Sequence, residues 1–389
     1  MPSYISSNAN RFYGAVESAY AHAAPVTAAN RFPAVRLEAQ QLLEHGKRLD
    51  KTGTRTYLGT SSQARRQTAF QARTYLTSWS GSQAPGYGPL VQSALGANAQ
   101  ISSGLLVESL QTPTQIQTTA PHGLTIGSAI SYFNEIRFVT NVPDPSTIVI
   151  NAPFSNTAGP TAALSPTISY AVSNALPSVT LYDYWDPVSA VSRVITGAAV
   201  DTFQISVNGD YHEMLFSGPA ADLLDSSSFV EGSAGLSSFP AEPALAEFDY
   251  SIVPGHLGQV WLGTAPYQFF TLTAAEIMVH NSINVRNQEY GSSYPLAIAP
   301  GPRTVISHFT LLAQDDSQTA ELYAAAKQRN VISAMLQLGQ QQRELMAIFL
   351  PNVTPEIPNY DDSETRLQWE FKNNLAQGIA NDEIYLAFA

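Results

Sequence analysis

Cysteine is absent from all 389 residues. That excludes a disulfide scaffold, a thiol nucleophile and a zinc–thiolate site. It suits a chain that meets both reducing and oxidising surroundings. Charge is scarce too: 13% of residues are charged, against roughly 25% in an ordinary domain. Neutral polar groups must therefore cover the surface. No apolar run approaches the roughly 18 residues that span a bilayer, so no membrane insertion is expected. The start, MPSYISSNANRFYG, lacks a basic segment followed by an apolar one, so no signal peptide is expected. Basic residues are missing from most of the chain. Net charge is −12, and between Arg73 and Arg286 only Arg137 and Arg193 are basic. Tight binding of phosphates is thus disfavoured.

What is present is β-forming. The chain has 18 Tyr and 17 Phe, enough for a sizeable core. Thr202–Val207 alternates Phe203, Ile205 and Val207, then Asn208-Gly209 offers a hairpin turn before Tyr211–Phe216. Two short helices are expected. Pro89–Leu95 has Pro at its first position and Gly96 as a stop. Thr319–Arg329 has Ser317 as a candidate cap, with Lys327 and Arg329 near its negative end.

These elements occur in the same order twice. Val35–Leu43, a polar loop, Thr68–Leu76 and the Pro89 helix are followed by strands at Val179–Trp185, Arg193–Val207 and Tyr211–Phe216. Ala275–Val285, a polar loop, Arg303–Leu312 and the Thr319 helix are followed by Val331–Leu338, Leu345–Leu350 and Arg366–Phe371. The order β–loop–β–α–β–β–β marks a duplicated unit. The expected organisation is an N-terminal arm at 1–34, a first domain at 35–100 and 171–225, an inserted β-module at 101–170, a linker at 226–265 and a second domain at 266–389. Charge divides along the same line. Residues 1–75 hold ten basic residues against four acidic ones, and the body beyond is acidic. Such a chain can attract copies of itself head to tail.

Chemistry-bearing motifs are missing. There is no phosphate-cradling Gly-rich loop, no H-E-x-x-H and no G-x-S-x-G. The seven His are scattered without metal-ligand spacing, and His122 in Pro121-His122-Gly123 reads as a turn residue. Asp315-Asp316 and Asp361-Asp362 border expected elements, where capping accounts for them. Asp183 with Asp186 or Glu213 could supply a hydrolytic carboxylate pair, but Asp183 and Asp186 flank a strand end. No enzyme, cofactor or metal is expected.

The repeated order resembles the tail tube protein of long-tailed bacteriophages. The stretches that carry the likeness are VDTFQISVNGDYHEMLFS (Val200–Ser217), RTVISHFTLL followed by TAELYAAAKQR, and the ending from Met335-Leu336-Gln337-Leu338-Gly339 through LMAIFLPNV to NDEIYLAF. The insertion's PHGLTIG, EIRFV and STIVINAPF resemble small β-modules appended to phage tail proteins. The resemblance implies a mainly β fold: two tandem tail-tube-type β-sandwich/barrel domains, each with one short helix, plus the small inserted module. It implies a structural virion protein of the phage tail, assembled in the host cytoplasm. Six domains would close a ring around a continuous inner β-barrel. With two domains per chain, three copies would make a pseudo-hexameric ring. Rings would stack helically into a negatively lined conduit for DNA ejection. Implied partners are other copies of the chain, the tail tip or baseplate initiator, the tape measure and tail terminator proteins, and genomic DNA in transit without specific binding.

In that family the loop between the first two strands makes ring-to-ring contacts. Lys47, Arg48, Lys51, Arg55, Arg65 and Arg66 are the candidates here. A heterologous contact of this kind generates an open filament. The insertion would block a channel sized for DNA, so it is expected on the tube exterior, where it would collide with a contractile sheath. A non-contractile, siphophage-type tail follows. The alternative is a capsid decoration or adhesin-type β-protein forming a closed oligomer, for which polar β-modules rich in Tyr and Trp are suited.

Overall fold

The computed structural model describes residues 4–46, 50–56, 59, 64–79, 84–102, 104–207, 209–245 and 250–389. Strands account for 46% and helices for 7% of the chain, so the fold is mainly β. The duplication is deeper than the sequence pattern indicates. In the first repeat the strands are β1 (Asn10–Val16), β2 (Arg31–Phe32), β3 (Arg36–Glu44), β4 (Arg65–Tyr75), β5 (Val179–Trp185), β6 (Arg193–Ala198), β7 (Thr202–Val207), β8 (His212–Ala220) and β9 (Asp222–Asp225). In the second they are β10 (Gly258–Gly263), β11 (Tyr267–Phe269), β12 (Leu272–His280), β13 (Thr304–Leu312), β14 (Ile332–Leu338), β15 (Met346–Thr354), β16 (Asn359–Asp361), β17 (Gln368–Ala376) and β18 (Tyr385–Phe388). Helix α1 (Gly88–Leu95) follows β4, and α2 (Ser317–Gln328) follows β13.

Within each sheet, the strands of the second repeat follow the order of the strands nine before them. One sheet of the first repeat runs β9-β6-β5-β1-β2, and its counterpart runs β18-β15-β14-β10-β11. The other sheet of each repeat runs β3-β4-β8-β7 and β12-β13-β17-β16. These last two are fused. β7 pairs with β12 from Thr202↔His280 to Val207↔Ala275, giving a run of eight antiparallel strands that curls as a half-barrel; a short β15–β17 pairing, Val353↔Ala376 and Thr354↔Leu375, joins this run to the other sheet of the second repeat.

Alternation explains which face is buried. In β13, Val305, Ser307, Phe309 and Leu311 point to the core, while Ile306, His308 and Thr310 point away. In β7, Phe203 and Ile205 point in, and Phe203 stacks on Phe216 of β8 at 4.7 Å between ring centroids. Leu90, Val91, Ala94 and Leu95 of α1 and Leu322, Ala325 and Ala326 of α2 fill the space between sheets. One apolar core runs through both repeats.

Both outer sheets are covered again, by unrelated segments. Over the first lie Phe229, Leu236 and Phe239, packed on Tyr13, Tyr182 and Tyr184. Over the second lies the insertion, a five-stranded sheet within 107–150 with its own core of Val107, Ile116, Ile130, Val139 and Ile148. Its Ile136 and Phe138 pack on Trp261, Met335, Phe349 and Tyr385. Arg137 clamps this contact. It is fully buried and bonds Glu135 at 2.9 Å, the Pro153 carbonyl at 3.0 Å and Gln259 of β10 at 3.2 Å. Its guanidinium lies 4.9 Å from the Trp261 ring. Burial pulls its pKa down to about 10, so it stays charged at neutral pH.

Several elements differ from the sequence reading. The arm at 1–34 contributes β1 and β2, and the linker at 226–265 contributes β10. Arg193–Val207 is two strands. At Ala199–Asp201 the chain crosses between sheets, held by Ala199 N–H to the Pro219 carbonyl at 3.0 Å and Asp201 N–H to the Ser217 carbonyl at 2.9 Å. Continuous apolar character hid that crossing. The end of the insertion joins the second repeat: Thr167–Ala171 pairs with β18 and, on its other side, with Gln100–Ser102. The cap of α2 is Asp316, not Ser317, and its carboxylate accepts from the Thr319 N–H at 2.6 Å. That bond holds the Asp316 carboxyl below its usual range. β7 and β8 pair antiparallel as expected, while Asn208 of the expected turn lies outside the described residues.

Candidate functional site

The outward face of the eight-stranded sheet carries many polar side chains, with Leu215, Met278, Ile306 and Leu375 in one row among them. Register places Arg36, Glu38 and Gln40 of β3 beside Arg73, Gln71 and Ala69 of β4. Next come Glu213 of β8, Gln204 and Ser206 of β7, and Glu276 of β12. His308 and Thr310 of β13 and Glu370 of β17 complete the row. Ion pairs join Arg73 to Glu213 at 2.5 Å, Arg36 to Glu38 at 2.6 Å and Lys372 to Glu370 at 2.6 Å. Gln67 donates to Glu44 at 2.8 Å. The acidic excess on this face is therefore small, since most of its charges are paired, and amides and aliphatic side chains lie between them.

The two edges of this sheet are the second feature. β3 bounds one side and the short β16 the other. Exposed apolar side chains gather at both. Leu42 and Leu43 are each more than half exposed on β3, as is Tyr360 on β16, with Ile357 just before it. A nine-residue open edge with bare leucines is a pairing template. Sequence reasoning did not single out these residues. Leu42-Leu43 breaks the alternation of β3, and Pro355 and Pro358 precede β16; those signals could have found them.

The basic candidates are dispersed. Lys47 and Arg48 lie outside the described residues. Lys51 and Arg55 are exposed in the loop between β3 and β4. Arg65 opens β4 opposite Glu44. Arg66 is engaged within the chain: it pairs with Asp222 at 2.8 Å, and its backbone N–H donates to the Ser293 carbonyl at 2.7 Å.

The carboxylates weighed for hydrolysis do not converge. Asp183 is buried against Arg193 at 2.5 Å in one sheet, and Glu213 pairs with Arg73 in another. His122 accepts the Leu124 N–H at 2.9 Å in its turn, and Asp361 accepts the Ser363 N–H at 3.0 Å. Among the described residues no cluster of three or more His, Asp or Glu could hold a metal ion. No described helix is long and apolar enough to cross a membrane. Neither the models of known protein families nor the curated proteins contain a match to this chain.

Proposed function

We propose that this chain is a tail tube protein that closes into rings of three copies and stacks into a conduit for phage DNA. The carrying observation is the internal β7–β12 junction. It joins the last strand of one repeat's inner sheet to the first strand of the next. The same rule applied at the open edges pairs β16 of one copy with β3 of another. Repetition of one rule generates a closed ring, and closure removes both edges.

The polar face sets the size of that ring. Eight strands closing on themselves give an interior just wide enough to be filled by side chains. A face that sets Arg, Glu and Gln around its few aliphatic side chains cannot be packed dry in that way without a large desolvation cost. It must face water, which calls for a wider barrel. Three copies supply 24 strands, since each contributes eight. At about 4.8 Å per strand and a tilt of about 40°, the backbone cylinder is about 48 Å across. That leaves a water-filled channel lined by amides and paired ions, to which a polyanion adheres weakly. The inserted module lies beyond the second outer sheet, on the side away from this face, in keeping with an exterior position. The acidic character of the channel is milder than net charge suggested, because the sheet's own Arg and Lys offset its Glu.

The experiment is negative-stain electron microscopy of the concentrated protein, alone and with a tail-tip initiator complex. Hollow rings or tubes with threefold modulation are expected. Compact closed particles under both conditions would overturn the reading in favour of a decoration or adhesin protein.

A further inference from the structure

The loops between the first two inner strands of each repeat have different surroundings. In the second repeat this loop, residues 281–303, lies back across the first repeat. It carries a small hairpin of Asn284–Val285 and Ile298–Ala299. Its Ser293 carbonyl accepts from the Arg66 N–H. Its Val285 and Pro295 share a cavity with Gly218 and Pro219 at the end of β8. Its Ser293, Tyr294 and Leu296 share another with Arg66, Asp222 and Thr196. The loop thus seats on the ion pair Arg66–Asp222, which ties the start of β4 to the start of β9.

The second repeat has the same ion pair at corresponding positions. Arg303, just before β13, meets Glu383, just before β18, at 2.6 Å. Around it opens a cleft of about 480 Å³, lined by Asn281, Arg303, Ala376, Ile379, Asn381 and Glu383 among others. The Nε of Arg303 is buried with no hydrogen-bond partner. Ile379 is 97% exposed and Leu375, at the end of β17, 44%. Residues 173–176 border this cleft, with the Ser173 carbonyl accepting from Arg303 and Asn174 from Asn381, but among the described residues no hairpin loop lies across it as 281–303 lies across the first repeat.

We infer that this cleft is the seat for the β3–β4 loop of the neighbouring copy in the same ring, with Lys51 and Arg55 entering against the acidic second repeat. This rests on the ring reading above. The direction agrees with the strand rule: the repeat that offers its first inner strand also lays its loop over the repeat that offers its last one. The loop is basic and its seat lies beside Asp382 and Glu383, so charge favours the contact. The contact is lateral, within one ring. The β3–β4 loop would then join neighbours around the circumference rather than rings along the axis.

The absence of cysteine makes the test clean. Thr54→Cys and Ile379→Cys are introduced together, both at exposed positions, and the assembled particles are treated with a short bismaleimide. A ladder of linked chains that stops at the copy number of one ring, seen by microscopy in the same sample, is expected. A ladder running past that number would overturn the lateral contact in favour of an axial one. Rings without any link would overturn the seat while leaving the ring reading intact. Absence of rings and link together would overturn both.

Discussion

At the residue scale, His212 has the environment most at odds with its chemistry. It opens β8, is almost wholly buried, and neither ring nitrogen has a hydrogen-bond partner. Burial pulls its pKa down to about 4, against an opposing effect of the Leu257 backbone and with a further decrease from His256. The native imidazole stays neutral down to about pH 4, whereas the unfolded one protonates near 6.5. Between those values the unfolded chain binds more protons, so stability falls as pH falls. The loss comes to roughly 2–3 kcal/mol by pH 4.5, at about 1.4 kcal/mol per unit. Urea midpoints at pH 7 and pH 4.5 should show it, and His212→Phe should remove that share of the slope. An unchanged slope in the variant would refute the assignment. Asp316 gives a second residue-scale expectation. Asp316→Ala should cost about 1 kcal/mol by removing the α2 cap, and Ser317→Ala almost nothing. Equal effects on the urea midpoint would contradict the observed cap.

At the element scale, the insertion is held as a third layer rather than hung on a tether. Arg137 is its fastening. Arg137→Ala would strand Glu135, which is nearly buried and also bonds Gln259 and the Ser155 N–H. Losing one partner of a buried pair costs roughly 3–5 kcal/mol. Thermal melts should show that loss, together with faster proteolysis within 107–150. If the module were merely tethered, the melting temperature would not move. The two isolated basic residues of the central stretch, Arg137 and Arg193, share this fate: each is paired inside the fold. Their isolation in sequence was a hint of structural use. For Arg193 the acid it meets depends on sheet order, since Asp183 lies on the paired strand; Arg137 meets Glu135 on its own strand, while its contacts with Gln259 and Trp261 come from β10, more than a hundred residues away.

At the scale of the whole molecule, the exposed leucines of β3 are the sensitive point. Leu42→Glu with Leu43→Glu should leave the monomer's melting temperature nearly unchanged, because both side chains are exposed. Opposite the Asp361–Asp362 end of β16, the added charges should block ring closure. Sedimentation and microscopy would report monomers in place of assemblies. Assembly at the wild-type concentration would exclude β3 as the closing edge.

The sequence by itself determined the mainly β character, the two helices and the tandem arrangement, because these follow from periodicities of two and 3.6 and from Pro and Gly punctuation. Val179–Trp185 was legible to the residue, and β13 and β14 to within one. It could not reveal that Arg193–Val207 is two strands, since a crossing between sheets leaves no polar break when both halves are buried. Nor could it show that β1 and β10 open each repeat, because a strand's place depends on partners 70 or more residues distant. Only the tertiary structure decided that β7 meets β12, and so which edges remain open. Backbone hydrogen bonds between strands carry no side-chain signature. The basic loop was visible as composition, but the seat we infer for it rests on the repeated ion pairs Arg66–Asp222 and Arg303–Glu383. Those pairs join residues 156 and 80 positions apart, and folding alone brings them together.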